Sequence, residues 1–347
     1  MSEQKIPILV TGGAGYIGSH TCKALAQAGF LPVVYDNLST GHAYAVKWGP
    51  FIQGDLNDRT KLNEAFTNYQ PRAVIHFAAD AIVVESMKNP GKYYRNNTDS
   101  SIALLEAMRD HRVDHLVFSS TCATYGNPRS TPIAEDHPQI PINPYGRSKL
   151  MIEQIISDFE MAHGLKAVIL RYFNAAGADL SSEIGENHTP ETHLIPTVLQ
   201  TALGLKKEIV VYGTDFATKD GSAVRDYIHV QDLSEAHVAA LLWLFENRKT
   251  AAFNLGTGKG YSVLEIIDAV QKFCGKTLPV RFENRRPGEP GILAASNALA
   301  AQLLGWNPRV SDLNTIIGSA WKWHQLLFEN APFVKNAVKT ALEAQKC

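Results

Sequence analysis

The first half of the chain alternates short β-branched runs with longer stretches in which apolar residues recur every three to four positions. Residues 6–11, 31–35, 73–77, 115–120 and 167–173 read as strands, and 15–28 and 144–164 as helices. Strands alternating with helices of this length predict stacked βαβ units. Such units form a doubly wound parallel sheet of the Rossmann type, with helices on both faces and right-handed crossovers.

After Asn174 the texture changes. Gly177, Gly185, Pro190, Pro196, Gly204, Gly213 and Gly221 divide the chain into short elements that cannot continue the same sheet. The expected organisation is a dinucleotide-binding domain over 1–174 and a smaller C-terminal α/β substrate domain over 175–330, with a helical tail at 331–347. Two segments within about 223–256 are expected to return to the first domain: a strand-like run at 226–230 leading into an amphipathic helix, and a strand at 252–255. No internal repeat or low-complexity tract interrupts this picture.

Composition narrows the partners. The 347 residues are 45% hydrophobic and 19% charged, and 33 basic against 34 acidic residues give a formal net charge of −1. That balance argues against a nucleic-acid surface or an anionic membrane, and no run is long enough to span one, so a small-molecule substrate is expected. Cys22, Cys122, Cys274 and Cys347 are scattered without metal-ligand spacing and no secretory segment precedes the first strand, which points to a reduced, cytoplasmic protein with no metal site. Cys22 and Cys274 read as helix-packing residues.

The first predicted strand runs into Gly12-Gly13-Ala14-Gly15-Tyr16-Ile17-Gly18. Glycines are needed where the chain turns sharply and its backbone must approach a pyrophosphate, with helix N-terminal N–H groups aimed at the anion. The next strand ends at Asp36-Asn37, 18 positions beyond Gly18, where the adenosine ribose should lie. A carboxylate there accepts from the ribose hydroxyls and repels the extra phosphate of NADP, so NAD is the expected cofactor. Asp55 and Leu56 are placed to meet the adenine. Phe77-Ala78-Ala79 ends the fourth strand where the pyrophosphate or nicotinamide must pass.

Strand five ends Ser119-Ser120-Thr121, and Tyr145-Gly-Arg-Ser-Lys149 follows on a helix. Residues four apart share a helix face, so Tyr145 and Lys149 point together. A nearby ammonium and an oxidised nicotinamide both favour phenolate, which makes Tyr145 a general base. Strand alternation puts Ser119 and Thr121 on one side and Ser120 on the other, favouring Thr121 as the hydroxyl that relays the proton.

Taken together, TGGAGYIGSH, DNLS, GDL, HFAA, FSSTCATYG, PYGRSK, LRYFNAAGA, VRDYIHV, NLGTG and RRPGEPG resemble the UDP-glucose 4-epimerase family of extended short-chain dehydrogenases over about residues 6 to 325. The resemblance implies a tightly held NAD that removes hydride from C4 of a UDP-sugar and returns it to the opposite face, interconverting UDP-glucose and UDP-galactose. It also implies a homodimer formed through a helix pair of the first domain. The family base falls on Tyr145, its lysine on Lys149 and its hydroxyl on Thr121, where serine is more usual. Gly12, Gly15, Tyr16, Ile17, Gly18, Asp36, Asn37, Asp55, Leu56, Phe77, Ala78, Ala79, Asn97, Ser119 and Tyr172 fall on cofactor positions. Asn174, Leu194, Tyr212, Arg225, Arg286 and Glu289 fall on substrate positions, the two arginines suiting a diphosphate.

Three positions depart from the pattern. Ala81 replaces a lysine, His193 replaces an asparagine before the Leu-x-Pro segment, and Leu293 replaces a tyrosine of strict glucose/galactose enzymes, which implies access for N-acetylated sugars. Other chemistries fit less well. A 4,6-dehydratase needs an acid and a base after the hydroxyl residue, where this chain has Cys122 and Ala123. A pentose or uronic-acid 4-epimerase would use the same chemistry. A non-catalytic NAD-binding regulator would have lost Tyr145 or Lys149. A zinc hydrolase on His188 and His193 lacks a recognisable ligand frame.

Overall fold

Seven strands are hydrogen-bonded in one parallel sheet, in the order β10-β6-β5-β4-β1-β2-β3. They are β1 (Pro7–Thr11), β2 (Leu31–Asp36), β3 (Phe51–Gln53), β4 (Ala73–His76), β5 (His115–Ser119), β6 (Lys166–Tyr172) and β10 (Ala251–Leu255). The structure, a computed structural model, describes residues 5–286 and 289–330; the expected tail at 331–347 lies outside them. The central strands carry apolar residues on both sides because both sides are covered. Ile8, Val10, Ile75 and Val117 join one cluster with α1 (Tyr16–Gln27) and α8 (Val230–Asn247). Leu9, Val74, Leu116 and Phe118 join the other with α2 (Arg59–Tyr69), α5 (Ser100–Asp110) and α6 (Pro144–His163).

The short helices α3 (Val83–Lys88) and α4 (Pro90–Tyr93) lead through a π-helical turn, Tyr94–Asp99, into α5. Helix α6 begins at an Asn143 side-chain cap with Pro144 in its first turn and ends at Gly164 in the left-handed region (φ 75°), as its sequence signals require. Strand order reverses between β1 and β4, and at that point an α/β sheet opens a crevice beyond its strand ends.

The second region is built on two smaller sheets. Strands β7 (Asn174–Ala176), β9 (Val224–His229), β11 (Gly260–Ser262) and β13 (Ile292–Leu293) form one, and β8 (Ile209–Tyr212) and β12 (Val280–Glu283) pair as another. Helices α7 (Leu194–Ala202), α9 (Val263–Cys274) and α11 (Leu313–Asn330) pack over them, while α10 (Ala298–Leu304) lies against α8. The segment 223–256 is therefore split. Helix α8 and β10 do return to the large sheet, but β9 does not; it pairs in parallel with β7 and β13 and antiparallel with β11. Its apolar residues were legible, and its partners were not. Among the described residues no helix is long and apolar enough to cross a membrane.

Candidate active site

The glycine loop between β1 and α1 is pressed against the end of β4. Gly12 has φ +73°, and a Cβ there would lie 2.6 Å from the backbone nitrogen of Ala78, so both conformation and space require glycine. A Cβ at Gly18 would lie 2.2 Å from the Gly12 carbonyl, which is why α1 can start so close beneath the loop. Asp36 closes the same crevice from β2. Its Oδ2 accepts from the Ala14 amide at 3.0 Å and its Oδ1 from Leu38 at 2.8 Å, and burial raises its pKa. Each oxygen keeps a lone pair for a ribose hydroxyl. Asn37 donates to the Asp55 carboxylate at 2.9 Å, and Leu56 is buried beside it.

On the far side of the crossover point, the Phe77 ring lies tilted against His237, 4.7 Å between centroids, and Ala78 packs on the opposite cluster. Asn97, expected to touch the cofactor, is fully buried with its amide already engaged. Its Oδ1 accepts from the Asp80 amide at 2.8 Å, and its Nδ2 donates to the Asp80 carbonyl at 3.0 Å and to Ser148 at 3.1 Å. The residue braces the 78–80 turn from behind. No cation stands at Ala81. Lys92 pairs with the neighbouring Asp80 at 3.3 Å and, with Arg95, lines a cavity that also includes Asn57, Asn89 and Asn96.

The reacting end is formed where β5 meets α6. A Cβ at Gly146 would lie 2.5 Å from the Ala123 carbonyl, so glycine lets the helix start against the 121–125 turn and sets Tyr145 beside Thr121. Thr121 accepts at Oγ1 from the Ala123 amide at 3.2 Å, leaving its hydroxyl proton for the Tyr145 phenol. Burial raises the Tyr145 pKa well above 10, and the Thr121 hydrogen bond opposes that rise. Lys149 lies on the same helix face. Its Nζ donates to the Ser119 carbonyl at 2.8 Å and lies 4.9 Å from the Phe118 ring centre.

Ser119 and Tyr172, both expected at the cofactor, hydrogen-bond each other at 2.5 Å, and burial pushes the Tyr172 phenol up to about 12. The Ser119 hydroxyl is thus taken by Tyr172, whereas Thr121 Oγ1 meets the Ala123 amide.

Burial lowers the Lys149 ammonium to about 7, against the opposing pull of Glu153. A lysine held below its unfolded value of about 10.4 binds fewer protons folded than unfolded between those values. This group therefore makes the fold lose stability as pH falls from about 10 to about 7, with no further loss below. Urea midpoints across that range are expected to fall less steeply for Lys149→Met than for the parent protein, and identical slopes would contradict the assignment.

Beneath this layer lies a buried network that the motifs did not reveal. Glu153 is the third member of the helix face that carries Tyr145 and Lys149, and its carboxylate meets Arg171 of β6 in a fork, at 2.7 Å from Nη2 and 3.1 Å from Nε. The side chains are 8% and 5% exposed. Ser120 donates to the same carboxylate, and Arg171 also donates to the Tyr125 hydroxyl at 3.0 Å. Glu153 looked like an ordinary helix residue; the one available signal was its i, i+4, i+8 register with the reactive pair.

The substrate candidates line the other wall. Arg225 donates through Nη2 to Glu289 Oε1 at 3.0 Å, and the Arg286 guanidinium lies 3.7 Å from the centre of the Tyr212 ring. Leu293 is paired with Arg225 in the sheet and packs with Cys122, the neighbour of Thr121. Leu194 opens α7, with His193 just before it, and Asn174 opens β7. Tyr16 of the glycine loop crosses to this region, donating to the Gly177 carbonyl at 2.6 Å. His193 is turned toward Glu186, its Nδ1 2.5 Å from Oε1. The loop brings Glu186, His188, Glu191 and His193 together, a proximity that the spacing of His188 and His193 alone does not announce.

A parallel sheet with a glycine loop and a buried acid at its crossover point, and Thr121, Tyr145 and Lys149 on the adjoining strand end and helix, define a nicotinamide-dinucleotide enzyme of the short-chain dehydrogenase type. The chain belongs to the NAD dependent epimerase/dehydratase family, whose model matches residues 8–256. It is 52% identical over 317 residues to the UDP-glucose 4-epimerase of Rhizobium meliloti (strain 1021), covering 91% of this chain and 96% of that one. A crystal structure of UDP-glucose 4-epimerase from Brucella ovis in complex with NAD is 52% identical, with a TM-score of 0.89 over 91% of this chain and 98% of that one. The UDP-glucose-4-epimerase from Stenotrophomonas maltophila with bound NAD and formylated UDP-arabinopyranose is 42% identical, with a TM-score of 0.90 over 94% of this chain and all of the other.

Proposed function

We propose that the protein is a UDP-hexose 4-epimerase that interconverts UDP-glucose and UDP-galactose. The observation that carries this reading is the start of α6 against the 121–125 turn, where the Thr121 hydroxyl eases the burial-raised pKa of Tyr145 and the residues that follow it, Cys122 and Ala123, offer no acid–base pair for elimination. Gly12, Gly15, Tyr16, Ile17 and Gly18 hold the cofactor pyrophosphate, and Asp36 its ribose. Bound NAD supplies a hydride acceptor that takes hydride from C4 of the sugar and returns it to the opposite face.

The protein's own part is proton transfer and positioning. Thr121 binds the C4 hydroxyl and Tyr145 takes its proton, then gives it back to the oxygen of the reduced sugar. Lys149 would hold the nicotinamide ribose of a bound cofactor, and its charge favours the phenolate form of Tyr145. Arg225 and Arg286 bind the diphosphate, Leu194 and Tyr212 enclose the base, and Asn174, His193 and Glu289 contact the remaining polar atoms. Arg225 now pairs with Glu289, so the diphosphate competes for a cation already aimed into the pocket.

Leu293, beside Cys122, leaves room for an N-acetyl group. Purified protein is expected to epimerise UDP-galactose without added NAD and also to convert UDP-GalNAc. Leu293→Tyr should lower UDP-GalNAc turnover by at least about tenfold while sparing UDP-galactose. UDP-arabinose is the third arm, because the Stenotrophomonas maltophila structure contains a UDP-arabinopyranose derivative. Product chromatography reads all three, and no conversion of any of them, even with added NAD, would overturn the epimerase reading.

A homodimer through α3 and α6 is supported by Val84, Met87 and Met151, which are 44%, 51% and 44% exposed on those helices. Sedimentation should report twice the chain mass, and Met151→Lys with Met87→Lys should halve it.

A further inference from the structure

The loop between β7 and α7 collects four ligand-type side chains in eight residues. Glu186, His188, Glu191 and His193 each offer one atom, and those atoms all lie within 4.8 Å of one another. Both imidazole Nδ1 atoms converge on Glu186 Oε1, His193 at 2.5 Å and His188 at 3.1 Å. Glu191 stands opposite, its Oε1 3.5 Å from His193 Nδ1 and its Oε2 3.8 Å from His188 Nδ1.

We propose that these four residues form a site for a divalent transition cation of the zinc class. Ligands at about 2.0–2.2 Å from a tetrahedral zinc lie roughly 3.4 Å apart. With Oε2 as the Glu191 ligand, the spacings Glu186 Oε1–His188 Nδ1 at 3.1 Å and Glu191 Oε2–His188 Nδ1 at 3.8 Å are near that edge, and the Glu186–His193 contact at 2.5 Å must open by about 1 Å. Two nitrogens and two carboxylate oxygens suit zinc and its neighbours; magnesium and calcium prefer oxygen alone.

Glu191 supplies the independent sign of a missing ligand. Its side chain is 3% exposed, and Oε2 has no hydrogen-bond partner although it is buried and faces His188. An ionised oxygen in that position is costly unless a cation meets it. Its other oxygen is held by the amides of Thr192 at 2.7 Å and His193 at 2.8 Å, the kind of outer contact that orients a ligand. Glu186 is 4% exposed at its side chain, and among the described residues neither carboxylate is paired with lysine or arginine. One dication with two neutral imidazoles balances both.

The frame around the site is built in. Trp323 donates to the Glu186 carbonyl at 2.9 Å, Lys206 to the Glu191 carbonyl at 3.2 Å, and His42 meets the Asn187 carbonyl at 2.8 Å. The His188 ring lies edge-on to Tyr16 of the glycine loop, at 6.4 Å between centroids. A cation here would tie the loop that precedes Leu194 to itself, next to the glycine loop.

The test uses untagged protein with its bound cofactor, stripped with EDTA and dialysed. Calorimetric titration with Zn2+ should show one tight equivalent per chain, and Co2+ should give the intense visible absorption of a tetrahedral site. Zn2+ should also raise the thermal midpoint, because a ligand that binds only the folded state stabilises it. His188→Gln with His193→Gln should abolish the equivalent, and Glu191→Gln, which keeps the loop contacts of Oε1, should weaken it at least about tenfold. No stoichiometric uptake by the parent protein, or the same uptake in either variant, would overturn the proposal. Should the double variant fail to fold, the Co2+ spectrum of the parent and the Glu191→Gln titration decide it.

Discussion

Tyr145→Phe is expected to keep its fold and its NAD while kcat falls by about 10²–10⁴-fold, the range over which a positioned general base contributes. Only the phenolic oxygen is removed. The ring keeps its edge contact with Tyr93 at 6.4 Å, and Thr121 keeps its hydrogen bond from the Ala123 amide. KM should change little, because the sugar hydroxyl still has Thr121 as a partner. Steady-state kinetics with UDP-galactose, together with cofactor content by absorbance, would check it; activity within a factor of a few of the parent would remove Tyr145 from its role.

The largest expected effect on stability is from Arg171→Met. Breaking a buried ion pair by removing one partner typically costs about 3–5 kcal/mol, because the remaining charge is left without compensation. Here that charge is the Glu153 carboxylate, which would keep only Ser120 and Gln139 as donors. A second substitution, Glu153→Gln, should recover a large part of the loss by removing the charge itself. Urea unfolding of the two variants measures both steps. If the single substitution costs less than about 1 kcal/mol, the pair is not what holds β6 to α6.

Why was the first half of the chain so readable and the second less so? Residues 6–11, 15–28 and 144–164 announce themselves through local rules: β-branched runs, a glycine turn, a proline start and a glycine stop. Those rules depend on neighbours in sequence. Thr121, Tyr145 and Lys149 were legible for the same reason, since strand alternation and an i, i+4 spacing fix which way they point. The pairing of β9 with β7 and β13 depends on residues 50 and more positions apart, and no local pattern carries it. Arg171 with Glu153, the use of Asn97 as a brace for Asp80, and the convergence of Glu186 and Glu191 on two histidines are products of the same long-range packing.

The split course of the chain between β7 and α11 has a mechanical consequence. The polypeptide passes from one lobe to the other between β6 and β7, between β9 and α8, between β10 and β11, between β13 and α10, and again before α11. Two lobes joined by a single linker could swing apart like a clamshell. Two lobes stitched at five points cannot part without bending all five seams at once, so exchange of the sugar nucleotide falls to side chains and loops at the rim.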